Sequence, residues 1–489
     1  MLAKRFRSLS EFSASERTGY KLLPMRFTAL DDHRYVISNY VGEFHVVDRS
    51  TLDRLVKHDL TPDDPVYYDL KSKHFLSDPD SSVASLLLGL KYRTKLSRFA
   101  QFTGLHMFVV TLRCDYSCSY CQVSRQTEDK AAFDMTPETA RMAVDFMFRS
   151  PSAALKVEFQ GGESLLNFPV IKEIVEYSHE VNRTKGRNLA FVIATNLSVL
   201  SDEILDYCDR YNILISTSLD GPAELHNTNR PRRGRNGHEL TIEGIRRVQE
   251  RLGVGAVSAL MTTTHASLSR PREIVDEYVR LGLHEIFLRP MSPYGFAKKT
   301  GQIHKYDAER WLEFYKEALG YILEINKSGY ALLECYSSLV LRKMLTPQNP
   351  GYVDLQSPSG LGISAIIYNY DGDIYAGDEA RMLGESGDKT FRMGNLSEDD
   401  YEKVMLGDSF LDILESSMAQ SAPICSECAF MPYCGADPVY HHETQQDFLG
   451  NKALSGYCHR NIGIFRHLIG LMCDSPEDSE ILRRWAFPC

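Results

Sequence analysis

"MFVVTLRCDYSCSYC", residues 107–121, runs from an apolar stretch straight into three cysteines. The first seven residues are mostly β-branched, aromatic or long apolar, the composition of a buried strand. The cysteines follow as Cys114-x3-Cys118-x2-Cys121, and the next one is Cys208. Three soft ligands are thus gathered where the chain leaves a strand, and a fourth is missing. A 4Fe–4S cubane normally takes four thiolates, so three leave one iron open. An open coordination position is what separates a working metal centre from a closed structural one. A zinc site completed by a distant ligand is the alternative on spacing alone.

Five further strands follow: 155–160, 189–195, 213–219, 256–262 and 285–290. Helical stretches lie between them. One opens at Thr136-Pro137, a cap residue before proline at the first helical position. Another opens at Ser201, with Asp202 and Glu203 where carboxylates suit the helix dipole. Strict strand–helix alternation implies a right-handed parallel sheet, open or closed. The expected class is α/β, a partial six-unit (β/α) TIM-like barrel over residues 100–300. Before it, 1–95 read as a small β-then-α module, with strands "MRFTAL", "HRYVISN" and "EFHVV" and a helix from Ser50. After it, 301–349 read as a helical linker. Residues 350–489 hold the hairpin "AIIYNYDGDIYAG" and a second cysteine cluster.

Composition narrows the function classes. The 489 residues allow two to four domains, and 43% hydrophobic with 25% charged residues is globular. A net charge of −10 without a long basic run argues against nucleic acid as the main partner. "MLAKRFRSLSEF" lacks the apolar core of a signal peptide, and no stretch approaches a membrane span. A cytoplasmic protein without a membrane partner is expected. There clustered cysteines bind metal or do chemistry more often than they form disulfides. Seven of the eleven cysteines fall in two clusters. Cys208, Cys335, Cys473 and Cys489 read as small buried apolar residues.

In a parallel β/α barrel, chemistry sits at the carboxyl ends of the strands. Each strand here ends on polar or glycine residues: the cysteine loop, Gly161-Gly162-Glu163, Thr195-Asn196, Ser218 to Pro222, Thr262 to His265, and Arg289-Pro290. Six such ends on one rim are more specific than any one of them.

"CDYSCSYC" resembles the signature of the radical S-adenosylmethionine (radical SAM) enzymes, and the likeness extends in order through 107–290. It implies that the amino and carboxylate groups of S-adenosylmethionine chelate the open iron. One electron then cleaves the sulfonium to a 5′-deoxyadenosyl radical. It further implies that Glu163 receives the methionine amino group, with Gly161 and Gly162 allowing close backbone approach. Tyr120 would lie by the adenine, Ser218 and Asp220 would reach the ribose or carboxylate end, and Thr195 and Asn196 would line the pocket.

Cys425-x2-Cys428-x5-Cys434, with Cys458 further on, supplies four thiolates. Four suit zinc or an iron–sulfur cubane. The segment resembles the SPASM extension of radical SAM maturases, which holds two auxiliary clusters. This sequence departs from that pattern at Gly377 and Pro438, where the family places cysteines, and has no cysteine between Cys335 and Cys425. All the losses belong to the first auxiliary cluster. The expectation is therefore two 4Fe–4S clusters in all, one binding S-adenosylmethionine and one auxiliary.

"SLDGPAELHNTNR" resembles maturases acting on peptides, with His226 and Arg230 in matching places. Arg230 is a candidate partner for a carboxylate of cofactor or peptide, or a salt bridge tying down its loop. Asp378 stands where related sulfatase maturases place a proton-accepting aspartate. "VYHHETQQD", with His441, His442 and Glu443, reads as a solvated face. The amino-terminal module is similar to leader-recognition domains, which add a peptide strand to a sheet edge. Together with "KLLPMRF" and "YVISNYVGEF", the layout resembles the maturases of His-Xaa-Ser peptide systems. That implies a precursor peptide, a companion maturase and an electron donor such as flavodoxin or ferredoxin. The expected reaction is oxidative modification of a ribosomal peptide, such as a side-chain crosslink. Dehydrogenation of serine or cysteine, as in sulfatase maturases, and a zinc-stabilised peptide-binding protein without catalysis are the competing readings.

Overall fold

The computed structural model describes residues 19–487. The extreme amino terminus, read above for a signal peptide, and Cys489 lie outside the described residues. The chain divides into two compact units, one of residues 1–96 with 427–432, the other of 97–426 with 433–489.

The larger unit is built on one sheet. Its strands are β1 (Leu105–Thr111), β2 (Ala154–Gly161), β3 (Asn188–Thr195), β4 (Ile213–Ser218), β5 (Val257–Thr262), β6 (Glu285–Arg289), β7 (Leu333–Glu334), β8 (Ala365–Tyr368), β9 (Asp373–Tyr375) and β10 (Arg392–Asn395). β1 to β7 lie side by side in chain order and parallel. β8 joins the other side of β1, also parallel, and β9 and β10 continue from it antiparallel. The helical stretch after 300 and the hairpin region past 350 therefore share a unit with the barrel strands.

Side-chain alternation decides which face becomes the site. In β2, Leu155, Val157 and Phe159 are fully buried, while Lys156, Glu158 and Gln160 are less so. Phe108, Phe159 and Phe191 follow one another across three neighbouring strands, the first pair tilted at 6.3 Å and the second stacked at 6.4 Å between ring centres. This ladder faces the helices: Tyr368 touches Phe146 of helix 137–147 as well as Phe108, and Phe191 touches His179 of helix 168–185. The opposite parity, Glu158, Gln160, Ser216, Ser218, Leu260 and Thr262, faces a cavity. The helices start where their caps stand. Thr136 accepts the N–H of Thr139, and Ser201 that of Ile204.

The smaller unit holds a three-stranded antiparallel sheet, Met25–Ala29, Arg34–Asn39 and Phe44–Asp48. Asp48 caps the helix Arg49–Lys57 that follows. Its core gathers Ile37, Val47, Leu55, Leu70 and Phe75. Among the described residues, each outer strand of that sheet pairs on one side only.

Two sequence expectations are corrected. Cys473 is exposed rather than buried, since it lies near the end of helix Gly456–Asp474. The His441 segment is no solvated face. His441 is 1% exposed and bonds Ser455 Oγ at 2.9 Å, while His442 meets Asp388 at 2.8 Å and Glu443 pairs with Lys298. The helix Pro438–Gln445 packs on several sides, which its irregular polarity conceals.

Candidate functional site

The cysteine loop begins where β1 leaves the sheet. Leu112 N–H turns away to Phe133 O, and the buried Arg113 binds Asp134 in a fork of 2.7 and 2.8 Å. Such a bidentate pair fixes orientation as well as position. Farther along, Asp115 takes Arg232 Nε at 2.8 Å and Asn196 Nδ2 at 3.0 Å. Tyr116 N–H points at Cys114 Sγ, 3.4 Å away. The loop is thus anchored before, within and after its first cysteine.

Gly161 and Gly162 give the loop its room. A Cβ on Gly161 would lie 2.0 Å from Thr111 O, and one on Gly162 2.2 Å from Arg113 O. Gly161 also has φ +151°, which side chains rarely adopt. The close backbone approach these glycines allow is to the strand that carries the cysteines.

A cavity of about 230 Å³ lies on this rim. Cys114, Cys118, Cys121, Tyr120, Gly161, Gly162, Thr195, Asn196, Ser218, Arg230 and Asp378 all line it. Glu163 and Asp220 stand behind this lining, both fully buried. Glu163 accepts three donors: Thr195 Oγ1 at 2.6 Å, Asn196 N at 2.7 Å and Leu165 N at 3.0 Å. Burial pushes its carboxyl up to about 7, and these hydrogen bonds hold it from rising further. Asp220 accepts Tyr120 Oη at 2.6 Å and Thr262 N at 3.2 Å. Arg230 Nε sits 3.1 Å from the same carboxylate, so the arginine is tied to its own loop while lining the cavity. Its Cζ lies 5.4 Å from the Tyr120 ring centre. His226 is buried beside them, its Nδ1 3.4 Å from Asp220 N. Asp378 opens the helix Asp378–Gly384 and pairs with the buried Arg381 at 3.0 Å.

Three thiols around one cavity suit a metal group that takes three thiolates. Burial pushes the Cys118 thiol up to about 12 and Cys114 higher still, so ionisation needs a bound positive centre. The donor set fits an iron–sulfur group on those grounds.

The second set of cysteines is dispersed over different local structures. Cys425 opens a short 3-10 turn, and Cys458 sits in the first turn of helix Gly456–Asp474, its N–H on Ser455 Oγ at 3.2 Å. Cys434 Sγ lies 3.5 Å from Asn461 Nδ2. The buried Lys452 has Cys425, Cys434 and Cys458 as electrostatic neighbours. Cys428 falls in 427–432, a segment of the smaller unit. At Gly377 a Cβ would lie 2.4 Å from a terminal methyl of Leu361, so a larger residue there requires that side chain to shift.

Asp115, Arg232 and Glu158 escaped the reading of the sequence. So did a second cavity, lined by Asp354, Glu379 and Asp437. Asp115, Arg232 and Asp437 are single charged residues outside strands and helices, and Asp354 sits in a short 3-10 turn. Glu158 lies within β2 and Glu379 within the helix Asp378–Gly384, where one charged residue is ordinary. The offset of Asp115 inside the cysteine motif was the one available signal.

Residues 108–265 match the radical SAM superfamily. An uncharacterised protein of Methanocaldococcus jannaschii is 30% identical over 137 residues, 28% of this chain and 44% of that one. A second, of Methanothermobacter thermautotrophicus, is 30% identical over 233 residues, 47% of this chain and 81% of that one. The match thus spans less than half of the first relative and most of the second. A serine-type anaerobic sulfatase-maturating enzyme of Bacteroides thetaiotaomicron is 20% identical over 383 residues, 74% and 88% of the two chains. Among solved structures, native anSMEcpe with bound AdoMet and Kp18Cys peptide superposes with a TM-score of 0.64 at 15% identity, covering 78% of this chain and 99% of that one. Among the described residues, no helix is long and apolar enough to cross a membrane. With its ordered parallel strands and three cysteines at the end of the first, the chain carries a domain of the radical SAM superfamily.

Proposed function

We propose that this protein is a radical enzyme that oxidatively modifies a ribosomally made peptide. The observation that carries the reading is the cavity that gathers three cysteine side chains with Tyr120, Thr195, Asn196 and Ser218 on a radical SAM fold. When bound, a 4Fe–4S cluster with one open iron would supply the electron that cleaves S-adenosylmethionine and so starts hydrogen abstraction. The chain's own residues do the rest. Cys114, Cys118 and Cys121 hold the cluster, and Arg113, Asp115 and Asn196 fix their loop. Glu163 braces the Thr195–Asn196 turn and offers its remaining lone pair to the methionine ammonium. Tyr120, held by Asp220, lies against the adenine. A peptide seated over the cavity would close it to water and orient the hydrogen to be removed. Asp378 is assigned to accept the proton released on oxidation, a reading supported by its position in the lining of the same cavity.

Cys425, Cys428, Cys434 and Cys458 are assigned to one auxiliary 4Fe–4S cluster that accepts the second electron. Glycine at 377, proline at 438 and the lack of cysteine between Cys335 and Cys425 support a single auxiliary cluster. A peptide substrate is supported by the sulfatase-maturating relative and by the peptide bound in the similar fold. The one-sided strands of the smaller unit suit addition of an extended leader segment. A precursor with His-Xaa-Ser repeats, with a companion maturase, is the narrower assignment, and it rests on the sequence resemblance.

The test is co-expression with small neighbouring open reading frames, followed by mass spectrometry. A peptide lighter by two hydrogens, dependent on Cys118, is the expected product. Colourless protein with stoichiometric zinc, and no cleavage of S-adenosylmethionine after reduction, would establish the non-catalytic alternative instead.

A further inference from the structure

Beyond the end of β6 lies a second cavity, of about 60 Å³, room for a few water-sized groups. Three carboxylates from distant segments line it, Asp354, Glu379 and Asp437, together with Arg289 and Arg460. Five tyrosines complete the walls. Arg289 also lines the cavity of the three cysteines, and Glu379 directly follows Asp378, so the two cavities adjoin. On the other side Arg460 and Tyr440 are shared with an outer groove of about 420 Å³.

The polar groups here are not satisfied by one another. Among the described residues, no hydrogen bond reaches the Asp354 carboxylate. Tyr294 is 2% exposed, yet its hydroxyl, on the cavity wall, has no hydrogen-bond partner. A buried polar group without a partner is costly, and a ligand is one way to satisfy it. Arg289 lies 3.4 Å from Glu379, while Arg460 sits 5.3 Å from the Tyr457 ring centre. Burial, then mutual repulsion, pushes Asp354 and Glu379 up to about 7 and Asp437 to about 6.

Charge selects the occupant. Above about pH 7, where all three carboxylates are ionised, they leave one negative charge in excess of the two guanidiniums. A singly charged cation neutralises it, whereas a divalent ion overshoots. Aromatic walls favour an organic cation through their ring faces. We infer that this cavity receives a lysine or arginine side chain of the substrate peptide, holding it on Asp354 and the Tyr294 hydroxyl. The inference rests on the peptide reading above, and it adds a specificity determinant: a basic residue near the site of hydrogen abstraction.

Binding can be tested without turnover. Full-length, anaerobically purified enzyme is titrated at pH 8 with Nα-acetyl-lysine methylamide, its arginine counterpart and its neutral norleucine counterpart, using saturation-transfer NMR. The basic probes should bind at least tenfold more tightly than norleucine. Asp354→Asn should erase that preference, and Tyr294→Phe should reduce it several-fold. Equal binding of norleucine, or silence of all three probes, overturns the inference on the wild-type protein alone, whether or not the variants fold. Saturable binding of Mn²⁺ that displaces the lysine probe overturns it in favour of a metal site. S-adenosylmethionine cleavage by the same preparation reports separately on the radical reading, so the two failures remain distinguishable.

Discussion

Glu163 shows how one residue couples local structure to chemistry. Its carboxylate takes a side-chain hydroxyl and two backbone N–H groups, so from behind the cavity wall it organises the turn after β3, whose Thr195 and Asn196 line the cavity. Burial moves its carboxyl from 4.5 to about 7. The folded protein then binds the proton more tightly than the unfolded chain. Stability contributed by the protonated form is present below the unfolded value and is lost as pH rises through about 7. In metal-free protein, the thermal midpoint of Glu163→Gln relative to wild type should therefore rise between pH 5 and pH 8. A flat difference would show that Glu163 titrates normally. In the reconstituted enzyme the same substitution should slow S-adenosylmethionine cleavage by about tenfold or more, the loss of a charge-assisted hydrogen bond worth about 1.5–3 kcal/mol.

Elements carry the account from residues to sites. The six strands of the barrel were legible as short apolar runs spaced by helical stretches, with Thr136 and Ser201 marking helix starts. β1 lies earlier than the apolar run suggested, Leu105–Thr111 rather than 107–113, because Leu112 and Arg113 turn out to meet Phe133 and Asp134. The cysteine motif and glycine pair were equally legible, being contiguous. The carboxylates around the second cavity were not, since Asp354, Glu379 and Asp437 meet only after the chain has folded back twice. His441 was misread because its burial comes from Ser455 and the loop past 447, contacts that local polarity does not encode. The hairpin loop gives its own prediction. Gly377→Cys should not restore a cluster, because the companion ligands are missing too, and its Cβ would displace the Leu361 side chain it meets at 2.4 Å. Overpacking of this kind costs about 1–3 kcal/mol. Denaturant unfolding should show that loss, with iron content unchanged. A gain of iron would mean that the loop opens readily.

Across the whole of the larger unit, one sheet connects the functional parts. β1 pairs on one side with the strand that ends in Gly161 and on the other with β8, which leads through the hairpin to Asp378. The cysteine loop, the brace at Glu163 and the helix carrying Asp378 and Glu379 are therefore set by a single parallel core. This is why the cysteine cavity and the acidic, tyrosine-walled cavity adjoin. If both assigned clusters assemble, the anaerobic protein should hold about eight irons. Cys458→Ala should lower that to about four, retain S-adenosylmethionine cleavage and abolish peptide oxidation.

The central claim concerns the fourth iron beside Cys114, Cys118 and Cys121. Mössbauer spectra of the Cys458→Ala enzyme, which carries that cluster alone, should be recorded with and without S-adenosylmethionine. The account predicts that one iron in four changes its parameters on addition and the other three do not. Spectra identical in both conditions, with all four irons already ligated by the protein, would contradict it.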